Sequence, residues 1–232
     1  MKIKNLLLSC SNVYTCSLFF LTFYILLPTQ ILAQTTQTNT YYKIISHGDK
    51  IDFGTIESGV TWTISSQDAA ISPSYLNADE INGYVFKKAG VYTVVFSDAS
   101  THTEGECNHA AFPKNMLIKV SPIKMTFDFS KISFSEKIKR GSICDQIFVT
   151  VPVNVDLKDV QTAKFTIPNA MVTGVGSEIT AKPVNAEVVL KNGIQLLKYQ
   201  LSGVATKEAY LMFDFVDYNN NTQTYYKPEI VN

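Results

Sequence analysis

The sequence predicts an all-β protein, two small β-sandwiches in tandem behind an N-terminal leader. Two observations lead to that reading. Short runs rich in β-branched and aromatic residues recur along the chain, each bounded by turn formers such as His47-Gly48-Asp49, Asn82-Gly83 and Asn192-Gly193. No apolar period of 3.6 persists long enough to build an amphipathic helix. A chain of 232 residues holds more than one small sandwich and fewer than three.

Residues 1–34 read as a secretory signal peptide. Lys2 and Lys4 supply the positive start, the apolar run is densest from Ser17 to Leu27, and Ile31-Leu32-Ala33 places the cut after Ala33 or Gln34. The run is short for a spanning helix, which needs about 20 apolar residues, so an uncleaved anchor is the second choice. Leu7-Leu8-Ser9-Cys10 looks like a lipobox, but the hydrophobic stretch follows Cys10 instead of preceding it. Cys10 and Cys16 are therefore leader residues, and the expected location is beyond the inner membrane: periplasm, outer-membrane surface or extracellular space.

Without Lys2 and Lys4 the remainder carries 18 basic and 20 acidic residues, a formal charge of −2, and Arg140 is its single arginine. Binding to nucleic acid requires clustered Lys and Arg to replace phosphate counterions, which this balance does not offer. Nor does the mature chain contain an apolar stretch of spanning length. Two cysteines remain, Cys107 and Cys144. Export permits a disulfide between them, which would link the two domains; two separate thiols are the other outcome.

The first domain is expected over residues 35–122. Thr35–Thr40 is a polar lead-in. Strands follow from Tyr41, over Val60–Ile64 with its alternation of apolar and hydroxyl side chains, over Tyr84–Phe86, over Val91–Phe96 and over Met116–Val120. Ser121-Pro122 marks the boundary, since proline ends a strand and stiffens a link. In the second domain, residues 123–232, Met125–Phe129 alternates, and Ile147, Val149, Val151, Val153 and Val155 share one face of a long strand. A short strand over Lys164–Ile167 ends at Pro168. Glu187–Leu190 and Ile194–Leu201 are expected to pair as a hairpin about Asn192-Gly193. Ala209, Leu211, Phe213 and Phe215 face one way, Asn219–Asn221 turns the chain, and Thr222–Tyr226 returns as the last strand.

Ala89-Gly90-Val91-Tyr92-Thr93-Val94 resembles the glycine–tyrosine strand of PKD and related immunoglobulin-like modules in bacterial surface proteins. The resemblance implies two tandem immunoglobulin-like β-sandwiches and a tyrosine hydroxyl that caps the preceding loop. It covers about ten residues, and the Asp-Gly run that usually precedes the strand is missing. The leader ending Leu-Ala-Gln, with the many Asn, Lys and Tyr residues, is similar to exported proteins of Bacteroidota.

The most suggestive cluster is the loop 98–114, with His102, Glu104, Glu106, Cys107 and His109. Imidazole and carboxylate together suit zinc or copper, although the spacing matches no metal signature and a solvated loop accounts for it as well. A cysteine nucleophile would need Cys107 activated by His102 or His109, which two positions on one loop rarely achieve. No Gly-x-Ser-x-Gly exists, and His47, His102 and His109 are the only imidazole bases. Asp128, Glu136, Asp145, Asp214 and Asp217 offer carboxylates, but two small sandwiches leave little material for a glycosidase cleft. Tyr41, Tyr42, Tyr225 and Tyr226 are candidates for a binding surface, tyrosine combining an apolar body with a polar tip. Trp62 fits a buried core position. The expected function is non-enzymatic and without cofactor. The chain reads as a binding or assembly module whose partner is another envelope or surface protein; a secreted carbohydrate- or metal-binding protein using the loop 98–114 is the alternative.

Overall fold

The computed structural model describes residues 41–68, 70–98, 113 and 115–228. Almost all of their regular structure is β. They belong to one compact unit with two separate hydrophobic cores, one drawn from residues 45–120 and the other from residues 123–215.

The N-terminal lobe is a five-stranded sheet with one face covered. Its elements are β1 (Tyr41–Ser46), β2 (Val60–Ser66), β3 (Ser74–Asn77), the four-residue helix α1 (Glu80–Gly83), β4 (Gly90–Asp98) and β5 (Asn115–Ser121). The strand order is β1-β5-β4-β2-β3, antiparallel except that β1 runs parallel to β5. The alternation in Val60–Ile64 turns Val60, Trp62 and Ile64 inward, and Tyr92, Val94, Met116, Ile118 and Val120 meet them. Trp62 is fully buried; its ring lies 5.3 Å from Phe53 and 5.1 Å from Phe96, and its indole N–H donates to the Ala78 carbonyl at 2.9 Å. The Tyr92 hydroxyl donates to the Lys88 carbonyl at 2.9 Å, four residues upstream.

The covering layer is irregular. Ile51, Ile71, Ile81 and Phe86 close the core from loops and from α1. Here the structure corrects the strand expected over Tyr84–Phe86, which joins no sheet. Phe86 instead exchanges a pair of bonds with the 48–49 turn, Gly48 N–H donating to its carbonyl at 2.7 Å and its own N–H donating to Asp49 at 3.0 Å. A single such pair anchors a loop without founding a ladder.

The C-terminal lobe comprises β6 (Ile123–Phe127), a 3₁₀ turn (Phe129–Lys131), β7 (Ser133–Phe134), β8 (Phe148–Leu157), β9 (Ala163–Thr166), β10 (Ala170–Thr173), β11 (Thr180–Pro183), β12 (Glu187–Leu190), β13 (Gly193–Ser202), β14 (Met212–Val216) and β15 (Thr222–Tyr226). The large sheet follows the path β15-β14-β10-β11-β13-β8-β6, with β7 also on β8, and β9 and β12 form a separate pair. Val149, Val151, Val153 and Val155 are all buried along β8. Each such side chain contributes about 1.5–3 kcal/mol relative to exposure.

The hairpin expected about Asn192-Gly193 is not a ladder. β12 pairs with β9, whereas β13 pairs with β8 and β11. The Asn192 side chain fixes this crossing: its Oδ1 accepts from Leu157 N–H at 2.5 Å and its Nδ2 donates to the Leu157 carbonyl at 3.5 Å. Asn-Gly thus carries the chain from the small sheet to the large one.

The large sheet curls until its end strands face each other. Gln223 on β15 accepts from the Phe127 N–H at 3.1 Å and donates to the Met125 carbonyl at 3.0 Å, both on β6. Asn219 donates to the Ile123 carbonyl at 2.8 Å. These backbone groups point away from β8, so two side-chain amides take the place of a neighbouring strand along the seam. Phe127, Phe129, Phe213, Phe215 and Tyr225 pack ring on ring behind it.

Candidate functional site

The metal candidates His102, Glu104, Glu106 and His109 lie outside the described residues, as does Cys107. Cys144 is a free thiol buried in the C-terminal core, with the Ser142 carbonyl 3.8 Å from its sulfur. Burial, reinforced by the Asp145 carboxylate, pushes that thiol's pKa up. Among the described residues no group of three or more His, Cys, Asp and Glu side chains converges on one point.

The dispersed carboxylates have local duties. Asp128 caps the 3₁₀ turn, accepting from Lys131 Nζ at 2.8 Å and from the Ser130 hydroxyl at 2.5 Å, and these bonds hold its carboxyl below the usual range. Asp145 accepts from Gly203 N–H at 3.3 Å and Asp214 from the Thr224 hydroxyl at 2.6 Å. Asp217 is buried and accepts from the N–H groups of Asn219 and Asn221 at 2.8 and 2.9 Å, which shapes the β14–β15 turn.

The four tyrosines do not share a surface. Tyr41 packs on the N-terminal core and Tyr42 is exposed, at the start of the strand whose far end, Ser46, meets Asn219. Tyr225 faces inward against Phe129, Phe134 and Phe213. Tyr226 faces outward, 68% exposed. The two pairs therefore occupy the far ends of different sheets.

Tyr226 instead belongs to an apolar groove on the outer face of the large sheet. Val175, Tyr210, Met212, Tyr226 and Pro228 line a cavity of about 730 Å³. The register places Thr173, Met212 and Tyr226 side by side across β10, β14 and β15, which is why the last two project to the same side. Gly174 permits one wall: a Cβ there would lie 2.7 Å from the Tyr210 carbonyl, so only glycine lets the two segments come this close. The turn it begins is tied down by Thr206, whose N–H and hydroxyl both donate to the Gly176 carbonyl, at 2.8 and 3.0 Å. Arg140 and Glu208 form an ion pair of 3.1 Å, and Glu208 lies at the rim.

Beside the groove runs the end of β15 that lies past Gln223, the residue that meets β6 at the seam. The bonds from Asp217 N–H to the Asn221 carbonyl and from Lys227 N–H to the Leu211 carbonyl fix which residues of β15 face β14. By alternation Thr224 and Tyr226 turn their backbone groups the other way. β15 has β14 as its only strand partner among the described residues. Unpaired groups of this kind receive added strands.

A second, polar cleft lies where the lobes meet. Lys124 Nζ contacts Asp49 Oδ1 at 2.6 Å, and Asp49 Oδ2 accepts from Ser46 N–H at 3.0 Å. His47 is buried, its Nε2 lying 3.2 Å from the Asp156 carbonyl oxygen. Asn219 donates to the Ser46 hydroxyl at 2.9 Å. Sequence reasoning found Tyr226 but missed Val175, Tyr210 and Met212. Their signal was present: with Leu211, Phe213 and Phe215 inward, Tyr210 and Met212 are large apolar residues on the solvent side of an amphipathic strand. No helix among the described residues is long and apolar enough to cross a membrane. No known protein family, curated protein or solved structure matches the chain.

Proposed function

We propose that the protein is an exported, non-enzymatic binding or assembly module, an accessory of a bacterial cell-surface adhesion, secretion or motility apparatus, acting on another envelope protein. The observation that carries this reading is the apolar groove of Val175, Tyr210, Met212 and Tyr226 beside the Thr224–Tyr226 end of β15, which has no second strand partner among the described residues. Soluble monomers seldom expose contiguous apolar surface without using it, and tyrosine and methionine are enriched where proteins meet. An extended apolar segment of the partner would add to β15 through its main chain and seat alternate side chains in the groove. Export rests on the leader at residues 1–34.

The finer architecture belongs to the same reading: two tandem immunoglobulin-like sandwiches. In the N-terminal lobe the order β5-β4-β2-β3 parallels the G-F-C-C′ sheet of variable-type domains, with Trp62 on the strand that corresponds to C and the Tyr92 hydroxyl bonded upstream. In the C-terminal lobe the support is less direct, a separate core enclosed by a curled sheet and the β9–β12 pair.

The test is photocrosslinking in cells of the source from probes at position 212 or 226, beside a control probe at Tyr75 on the opposite lobe. One envelope protein captured from the groove positions, absent at Tyr75 and lost when Val175→Asp is added, supports the reading. Equal capture from all three positions sinks it.

A further inference from the structure

The cleft between the lobes has the composition of an anion site. It is an open cleft of about 300 Å³, at the small end of ligand pockets, and Lys43, Lys50, Lys124, Asp49 and Asp217 contribute its charges. Both carboxylates already accept bonds from the chain itself. Asp49 holds Lys124 Nζ with one oxygen and Ser46 N–H with the other. Asp217 takes the N–H groups of Asn219 and Asn221 on Oδ1, and the side-chain amides of Asn221 and Gln223 on Oδ2, both at 3.4 Å.

The lysines are not spent. Neither Lys43 nor Lys50 forms an ion pair with any described residue. Lys124 uses one contact, and an ammonium has three donors. The cleft therefore presents donors in excess of acceptors, and what enters must bring acceptors with it. A metal cation would meet three ammonium groups, with Asp49 already paired to one of them. A neutral sugar would leave the charges unanswered. A carboxylate offers two oxygens and about four acceptor sites to the three lysines, and charge-assisted bonds are the stronger kind.

We propose that this cleft binds a small carboxylate the size of an acidic monosaccharide, held by Lys43, Lys50 and the free donors of Lys124. The site is separate from the groove on the outer face of the large sheet, so it stands or falls independently of the assembly reading. Its source is a free acidic sugar or the acidic unit of a polysaccharide.

Titration calorimetry of the full chain with glucuronate, a glucuronate trimer and glucose tests it. The expected result is saturable binding of glucuronate, at least tenfold weaker for glucose, and weakened again at high salt as partly exposed charges are screened. Lys43→Gln and Lys50→Gln are each expected to reduce affinity severalfold and the pair to abolish it, with the thermal midpoint unchanged because neither lysine is tied to another described side chain. Tighter binding of the trimer assigns the source as polymer; equal binding assigns the free sugar. No heat with glucuronate up to millimolar concentration, equal binding of glucose, or full affinity in the double variant overturns the proposal.

Discussion

Asn219 and Ser46 are 173 positions apart in sequence and 2.9 Å apart in the fold, the asparagine amide donating to the serine hydroxyl. The same nitrogen also donates to the Ile123 carbonyl at 2.8 Å. One side chain thus joins the end of β1 to the start of β6 from the β14–β15 turn, and all of these groups are buried. Removing it leaves a buried carbonyl without its partner, which costs about 1–3 kcal/mol. Asn219→Ala is expected to lower stability by that amount in urea titration. Asn219→Asp, nearly the same shape, is expected to be at least as damaging, because it sets an acceptor against the Ile123 carbonyl. A smaller effect for Asp than for Ala would show that the side chain only fills space.

The seam makes a residue-specific prediction. Phe127 N–H is held by Gln223 Oε1 in place of a strand. Gln223→Leu is expected to keep the fold while hydrogen exchange at Phe127 accelerates at least tenfold. Exchange at Val151 and Val153, in the middle of β8, is expected to change only as much as global stability does.

Tyr199 is buried in the C-terminal core with its ring 5.2 Å from Phe215, and no described hydrogen bond reaches its hydroxyl. Burial alone raises its pKa far above 10. The unfolded chain therefore releases this proton first as pH rises. The stability at stake is whole below about pH 10 and falls above it, by about 1.4 kcal/mol per pH unit. Tyr199→Phe is expected to leave stability at pH 7 unchanged or raised by about 1 kcal/mol, since a polar group without a partner is removed. The variant is also expected to shed part of the alkaline loss. Chemical denaturation at pH 7, 10 and 11 measures both effects.

Two glycines with the same φ, +103° at Gly203 and +105° at Gly193, separate backbone strain from crowding. A Cβ at Gly193 meets nothing within 4 Å, whereas one at Gly203 runs into the Glu178 carbonyl. Gly193→Ala is expected to cost about 1 kcal/mol, the price of a left-handed backbone alone. Gly203→Ala is expected to cost about 3 kcal/mol or more, because the β10–β11 turn must also move. Equal losses would mean that the turn yields freely.

What was legible in the sequence is what two-residue alternation writes. β2, β4, β5, β8 and β15 appear within a residue or two of where Val60–Ile64, Val91–Phe96, Met116–Val120, the β8 valines and Thr222–Tyr226 place them, and β14 starts three residues after Ala209, the first residue of the strand expected there. β10 and β11 were not legible, each being only four residues, too short for an alternation to show. Asn192-Gly193 carries a strong hairpin signal, and it was overridden by a bond to Leu157, 35 positions away. The polar cleft was illegible for the same reason. Asp49 and Lys124 are 75 positions apart, and nothing local to either names the other.

The parallel pairing of β1 with β5 sets the mechanical character of the N-terminal lobe. Tyr41 lies opposite Met116 and Ser46 opposite Ser121, so the chain enters this pair at one end and leaves for the next lobe at the other. A pull between the chain's start and its second half loads all six register positions in shear at once instead of peeling them one by one. A protein tethered at one end and held by a partner at the other would resist such tension first through this clamp, before either core is exposed.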